Sequence, residues 1–404
     1  MILEAAVACD PSRPGYQVDL IEAYRMDWRL DEALAACRRA LERWPEDLSL
    51  RHELHLVLYD RDELDEAVAE LRQLIARDPD QAGAHMRLGQ IHLIRGEGTP
   101  GWAEYEWRFR LPGLKPMMPP TSQPKWNGAN ARDGTLLVVC AEGFGDTIMF
   151  ARYIPQIAQR CRTLLIACSA EMAPLLAQQP GIAAIVQKWA EVPAYDAWCM
   201  LSSAPGIFGT DVVAPPAPIP YILADKTRIE VWRERLDSTI PAGLQRVGVV
   251  WAGRPTHPND RRRSMDFGSL FALTGVPGIA LVGMQKGRAA PTLPEFRGPA
   301  PFVDCSSELT DFVDTAALVE NLDLVISVDT AIAHLAAAMG KPVWLLLPFA
   351  ADWRWRRGRD DTPWYPTMQL IRQPRPGDWN GAIETAIRYL REILQHCSGA
   401  VRGS

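Results

Sequence analysis

Residues 324–347 read Leu-Val-Ile-Ser-Val-Asp-Thr-Ala-Ile-Ala-His-Leu-Ala-Ala-Ala-Met-Gly-Lys-Pro-Val-Trp-Leu-Leu-Leu. The apolar run Leu324 to Ile326 suits a strand buried on both faces. It ends at Ser327-Val328-Asp329-Thr330, where polar side chains meet a helix expected from about Ala331 to Met339. Gly340-Lys341-Pro342 stops that helix, and Val343–Leu347 is a second apolar strand. A helix N-terminus at the carboxyl edge of a parallel sheet offers unpaired N–H groups and the positive end of a dipole, which suits phosphate. Asp329, Thr330 and His334 occupy the first turn and a half, facing the ligand. The segment points to a protein that grips a nucleotide diphosphate, a nucleotide sugar in particular. Many α/β proteins carry such a unit and bind nothing there, so the rest of the chain has to decide.

Working outward, apolar strands alternate with helices over most of the chain. Thr135–Cys140 is a buried strand, Asp146–Arg160 a helix and Leu164–Cys168 a strand. Glu171–Gln178 is expected to be helical, with further strands at Ile182–Gln187 and Asp196–Leu201. Prolines at 215, 216, 218 and 220 interrupt the pattern, and Lys226–Leu236 is a bridging helix. The alternation then restarts with strand Arg246–Trp251, helix Phe267–Leu273, strand Ile279–Met284 and helix Leu309–Val319. After residues 324–347 a last helix runs Trp379–Gln395. Two such halves predict two Rossmann-like domains facing a cleft, with ligands at the carboxyl edges of the strands.

The first hundred residues repeat with a period of 34. Leu20, Leu54 and Leu88 align, Asp31-Glu32-Ala33 matches Asp65-Glu66-Ala67, and Pro45 matches Pro79. Each unit holds two amphipathic helices with a small residue where they cross. The spacing resembles the tetratricopeptide repeat, whose helix pairs stack into a solenoid with a binding face. The usual first-helix tryptophan is replaced by Gln17, Arg51 and His85. The third unit has Gly101 where alanine belongs and runs into a closing helix, Gly101-Trp102-Ala103-Glu104-Tyr105-Glu106-Trp107-Arg108. Such an array serves either to recruit a partner or as scaffold and dimer surface. Prolines 112, 116, 119, 120 and 124 form a stiff linker. The expected layout is therefore 1–111 repeats, 112–134 linker, 135–224 and 225–378 as the two Rossmann-like domains, and 379–404 as a C-terminal helix and tail.

Composition narrows the class. At 404 residues there is chain enough for two or three domains, and 48% apolar with 23% charged residues is ordinary for a globular protein. A net charge of −6 argues against generic nucleic-acid binding. There is no apolar run long enough for an integral membrane helix, and Met1 to Asp10 lacks the basic start of a signal peptide. Eight scattered cysteines without a C-x-x-C pair read as reduced thiols of a cytoplasmic protein, not as a metal site.

The loops carry the chemistry. Ala141-Glu142-Gly143-Phe144-Gly145-Asp146-Thr147 follows the first strand of the first half. Gly143 and Gly145 let the backbone turn sharply and approach a ligand. Asp146 repels phosphate and suits general-base work on an acceptor hydroxyl, or else serves as a helix N-cap. Glu142 either shares the base role or hydrogen-bonds a sugar. In the second half, Trp251-Ala252-Gly253-Arg254 ends the first strand, with Trp251 a candidate for donor binding, and His257, Arg261, Arg262 and Arg263 follow. These cations fit a diphosphate clamp, or a solvated basic loop. Gln285 and Lys286 close the next strand, within reach of a base or ribose. Trp353 and Trp364 are candidates for stacking on a nucleobase or sugar, or for local packing. No D-x-D metal motif ends a strand, and Asp360-Asp361 lies in a polar loop.

Together, Gly143-Phe144-Gly145-Asp146, Ser327-Val328-Asp329-Thr330-Ala331-Ile332-Ala333-His334-Leu335, Asp352-Trp353-Arg354-Trp355 and Trp364-Tyr365-Pro366 resemble the ADP-heptose heptosyltransferase group of GT-B glycosyltransferases (glycosyltransferase family 9), in its variant fused to tetratricopeptide repeats. The resemblance covers residues 135–395. It implies a GT-B fold with Asp146 as catalytic base, and with Asp329, Thr330, Ala331 and His334 holding the donor's sugar and diphosphate. Arg263 is the nearest match to the family's phosphate-contacting basic residue, which is usually lysine. The implied reaction is an inverting, metal-independent transfer from an ADP- or other nucleotide-linked sugar, with no cofactor. The acceptor is expected to be a protein recruited by the repeats. Alternatives are transfer to a lipid-linked or surface glycan, a non-catalytic scaffold retaining the nucleotide-sugar fold, or an epimerase on the same fold. Homo-oligomerisation is left open.

Overall fold

A computed structural model of the chain describes residues 2–114, 117–216, 219–257, 259–287 and 299–402. Pro116, Pro218 and the Cys397 thiol lie outside the described residues. The chain forms two compact units. One comprises Met1–Lys115, Phe349–Arg357 and Arg375–Gly377, and the other Pro116–Pro348, Gly358–Pro374 and Asp378–Ser404. The expected single span 225–378 is divided in this grouping.

The first unit is helical. Three pairs follow one another: Pro14–Met26 with Leu30–Arg43, Leu48–Asp60 with Leu64–Arg77, and Ala82–Arg95 with Gly98–Tyr105. The aligned Leu20, Leu54 and Leu88 are all buried, as are Ala33 and Ala67. The period is written in the backbone as well. Trp28, Asp62 and Gly96, 34 residues apart, close the first helix of each pair with φ of 59°, 65° and 85°, the left-handed turn that ends many helices. The third pair packs more tightly than a methyl allows. A β-carbon on Gly101 would lie 2.7 Å from Leu93 Cδ2, and one on Gly89 would lie 2.5 Å from the Tyr105 amide nitrogen. That explains glycine where the other two repeats have Ala33 and Ala67. Residues 349–357 fold with this unit. Trp353 is buried edge-on to Trp102 at 5.4 Å and Tyr105 at 5.5 Å, and Arg357 Nε donates to Asp62 at 2.7 Å.

The second unit holds two parallel sheets. Four strands, β1 (Ala131–Cys140), β2 (Cys161–Cys168), β3 (Ala184–Val186) and β4 (Ala197–Met200), lie in the order β3-β2-β1-β4. Six more are β5 (Gln245–Val250), β6 (Ile279–Gly283), β7 (Phe302–Asp304), β8 (Leu324–Val328), β9 (Val343–Leu347) and β10 (Met368–Arg372). They lie in the order β10-β9-β8-β5-β6-β7. β8 and β9 are buried throughout, as an all-parallel sheet covered on both faces requires. The final helix, Trp379–Arg402, lays Ala382, Ile383, Ala386 and Leu390 against Trp344, Leu346 and Ile371.

Differences from the sequence expectation have local causes. The expected helix Asp146–Arg160 is broken into Phe144–Phe150, a 3-10 turn at Ala151–Tyr153 and Ile154–Ala158. Pro155 cannot sit inside a continuous helix, and here it occupies the first turn of the last piece. Pro174 likewise sits in the first turn of Ala173–Leu176, the helical part of the expected Glu171–Gln178 helix. β7 and β10, the two edges of the larger sheet, were not anticipated. Among the described residues no helix is long and apolar enough to cross a membrane.

Candidate active site

Both sheets reverse their winding beside their first strand. In the six-stranded sheet the chain runs β5 to β6 to β7 on one side, then returns to β8 on the other. The carboxyl ends of β5 and β8 therefore part to form a crevice, the usual ligand position in a doubly wound fold. The smaller sheet does the same between β1 and β4. Each crevice receives one of the segments singled out above.

At the end of β8, Thr330 starts the helix Ala331–Ala338 in extended conformation. Its hydroxyl lies 3.0 Å from Ser327 Oγ, which donates to the Val328 carbonyl at 2.7 Å. The Thr330 side chain makes no capping bond, so it leaves the first N–H groups of the helix without a side-chain cap. Asp329, Thr330 and Ala331 are half-buried and His334 is buried. His334 Nε2 is 3.6 Å from Asp329 Oδ1, and its Nδ1 is 2.9 Å from the Tyr365 hydroxyl.

Opposite stands the turn after β1. The helix Phe144–Phe150 is capped by Gly143, so Asp146 is a first-turn residue rather than the N-cap. The bare Gly143 leaves room for the Asp146 carboxylate, whose Oδ2 is 3.2 Å from where a β-carbon would be. A β-carbon on Gly145 would be 2.9 Å from His334 Cδ2. The two crevices therefore meet, with Asp146 next in sequence to that junction. Glu142 is bonded by Ser202 Oγ, from the turn after β4, so its carboxylate ties β1 to β4.

Five other expected ligand contacts are instead part of the fold. The Gln285 amide is buried and closes the β5 loop, accepting from the Trp251 and Ala252 amides at 3.1 and 2.9 Å and donating to Ala252 O at 3.0 Å. Lys286 Nζ donates to the Ser306 and Leu309 carbonyls at 3.0 and 2.7 Å. The Trp251 ring packs on Phe267 inside the core. Trp353 is buried in the repeat unit as described, and Trp364 is buried against Phe150. Trp251, Gln285, Trp353 and Trp364 are buried and present no face to a ligand, while Lys286 is exposed with its ammonium bonded to the two carbonyls. The arginine loop divides: Arg262 is buried, while Arg261 is exposed and Arg263 half-buried. The Arg263 guanidinium covers Gly253, where a β-carbon would meet its NH2 nitrogen at 2.6 Å. Among the described residues no three His, Cys, Asp or Glu side chains are grouped as a metal site would need.

Sequence reasoning missed Arg152 and Tyr221. Arg152 is 2% exposed and lies 4.8, 5.4 and 5.2 Å from the ring centres of Tyr221, Trp364 and Tyr365. It donates to Met149 O at 3.0 Å, Trp364 O at 2.9 Å and the Tyr221 hydroxyl at 3.3 Å. Burial works against its charge, but the Tyr221 and Tyr365 hydroxyls outweigh it and the guanidinium is raised above its ordinary value. This cation joins the first half, the connecting segment and the second half (within the same unit). No sequence signal marks it, since its partners lie 69 and 212 positions away. Burial pushes the thiols at the sheet edge up, Cys168 to about 11 and Cys140 well above 9.0, which disfavours the thiolate.

Known proteins are similar to parts of this chain. Protein FlbA of Caulobacter vibrioides is 25% identical over 371 residues, 81% of this chain and 59% of that protein. The chain thus spans under two-thirds of that relative's length. Among solved structures, a glycosyl transferase family 9 protein from Veillonella parvula has a TM-score of 0.46 at 10% identity, covering 61% of this chain and 88% of that one. The E. coli ADP-heptose LPS heptosyltransferase II has a TM-score of 0.43 at 12% identity, covering 64% and 99%. Residues 54–99 match the tetratricopeptide repeat model, and residues 308–347, which include the β8 crevice, match the glycosyltransferase family 9 (heptosyltransferase) model. The chain thus joins tetratricopeptide repeats to a segment, residues 308–347, that matches the glycosyltransferase family 9 model.

Proposed function

We propose that this chain is a cytoplasmic glycosyltransferase that moves a sugar from a nucleoside-diphosphate sugar to an acceptor hydroxyl, on a protein recruited by the repeats. The observation that supports the reading is the approach of Gly145, the residue before Asp146, to His334. Asp146 takes the proton of the acceptor hydroxyl as its oxygen attacks the anomeric carbon. The bond from that carbon to the diphosphate breaks on the opposite face, so configuration inverts. The N-terminus of the Ala331–Ala338 helix and the cations of the β5 loop, Arg261 and Arg263, stabilise the charge that develops on the leaving diphosphate, without a metal. Asp329, Thr330 and Ala331 hold the donor sugar and diphosphate. Glu142, bonded to Ser202, shapes the acceptor side, which leaves the base role to Asp146.

The test is incubation with a panel of labelled nucleotide sugars, with mass spectrometry of the products and thermal shift with the matching nucleoside diphosphates. The reading expects one diphosphate to raise the melting temperature and its sugar to be transferred. If no diphosphate raises it, the reading is wrong. A pull-down on the full chain that yields a glycosylated protein supports the protein acceptor; transfer only to glycan removes that part.

A further inference from the structure

The His334 imidazole is held on three sides. Tyr365, fully buried, places its hydroxyl 2.9 Å from Nδ1. Gly145 lies against the Cδ2–Nε2 edge, and Asp329 Oδ1 is 3.6 Å from Nε2. Beyond Tyr365 the chain of polar groups continues to the Tyr221 hydroxyl, 3.5 Å away, and to Arg152.

The direction of the hydrogen bonds follows from the far end. A guanidinium can only donate, so Arg152 gives a proton to the Tyr221 oxygen at 3.3 Å. The single Tyr221 proton is directed at the Ile148 or Met149 carbonyl, 3.2 and 3.4 Å away, both nearer than Tyr365. The Tyr365 hydroxyl lies closer to His334 Nδ1, at 2.9 Å, than to Tyr221, at 3.5 Å, so its proton is directed at that nitrogen. A neutral imidazole that accepts at one nitrogen carries its proton on the other.

We propose that Tyr365 is a positioning residue for His334: it holds the imidazole with its proton on Nε2 and aims that N–H into the crevice beside Asp329. For donor binding this rests on the transferase reading. The oriented N–H would be a fixed hydrogen-bond donor to an oxygen of the nucleotide sugar, already aligned before the ligand arrives.

The experiment is two-bond 15N–1H NMR on the full-length chain, with the His334 signals assigned through His334→Gln. Wild type is expected to show Nε2 protonated and Nδ1 bare. Tyr365→Phe keeps the ring and its packing but removes the acceptor's partner. It should show mixed tautomers and a KM for the nucleotide sugar raised ~5–10-fold, with kcat within about twofold. Tyr221→Phe should leave the His334 tautomer unchanged. The proposal is overturned by a proton on Nδ1 in wild type, by an unmixed Nε2 signal in Tyr365→Phe, or by equal mixing in Tyr221→Phe, which would mean general loosening. Mixed tautomers with an unchanged KM remove the role in donor binding. If the NMR results hold and no nucleotide sugar is turned over, the positioning stands and the transferase reading falls.

Discussion

Gly145 lies against the edge of the His334 imidazole so closely that a β-carbon there would stand 2.9 Å from Cδ2 and 3.4 Å from Nε2. The first residue belongs to the helix after β1, Phe144–Phe150, and the second to the helix after β8. Their approach joins two crevices that would otherwise be separate features of two sheets.

Gly145→Ala should therefore be costly. The ring cannot retreat, because Tyr365 bonds its other side. Overpacking of this kind costs about 1–3 kcal/mol, read as a lower melting temperature, and the stabilisation by nucleoside diphosphate should shrink with it. An unchanged melting temperature and unchanged diphosphate response would show that the two helices do not meet.

Asp146→Asn keeps the size of the side chain and removes the base. Transfer is expected to fall at least ~100-fold, while thermal shift with the diphosphate stays as in wild type. Undiminished transfer would take the base role away from Asp146.

Arg152→Leu would leave the Met149 and Trp364 carbonyls and the Tyr221 hydroxyl short of a donor and would empty the space between three rings. We expect a loss of about 2–4 kcal/mol, measured as a shift of the urea midpoint. A loss below that range would mean the cation is dispensable to the fold.

The buried thiols predict an alkaline limit. Burial raises Cys168 from its ordinary 9.0 to about 11, and Cys140 well above 9.0. Between those values the unfolded chain has released protons that the folded chain retains, so the stabilising effect is complete below pH 9 and lost as pH rises towards 11. The melting temperature should fall across that window. With a thiol reagent at pH 8, exposed Cys9 should react at once, and Cys140 and Cys168 only after denaturation.

The element order could be read locally, since it rests on periodicity and on breakers. Val343–Leu347 matches β9 because five consecutive apolar residues after Gly340-Lys341-Pro342 allow little else. β7 and β10 are not legible in the sequence because edge strands are defined by their neighbours. Phe302–Asp304 is three residues long and only its central Val303 is buried. Pro155 and Pro174 are breakers visible in the sequence, and each stands in the first turn of a short helix.

The sequence by itself determined the 34-residue repeat, the alternation that builds two parallel sheets, and the placing of Asp146 and Asp329–His334 at strand ends. Each depends on spacing within one element or between neighbours. Only the tertiary structure decided which side chains face the crevice. Trp251, Gln285, Lys286, Trp353 and Trp364 sit at strand ends or in loops, where a polar or aromatic residue can equally meet a ligand or close the fold. They close the fold, because each finds buried partners remote in sequence. Arg152 is the converse case, with nothing about it in the sequence to mark a buried cation. Its three aromatic neighbours come together only when both halves and the segment between them have packed.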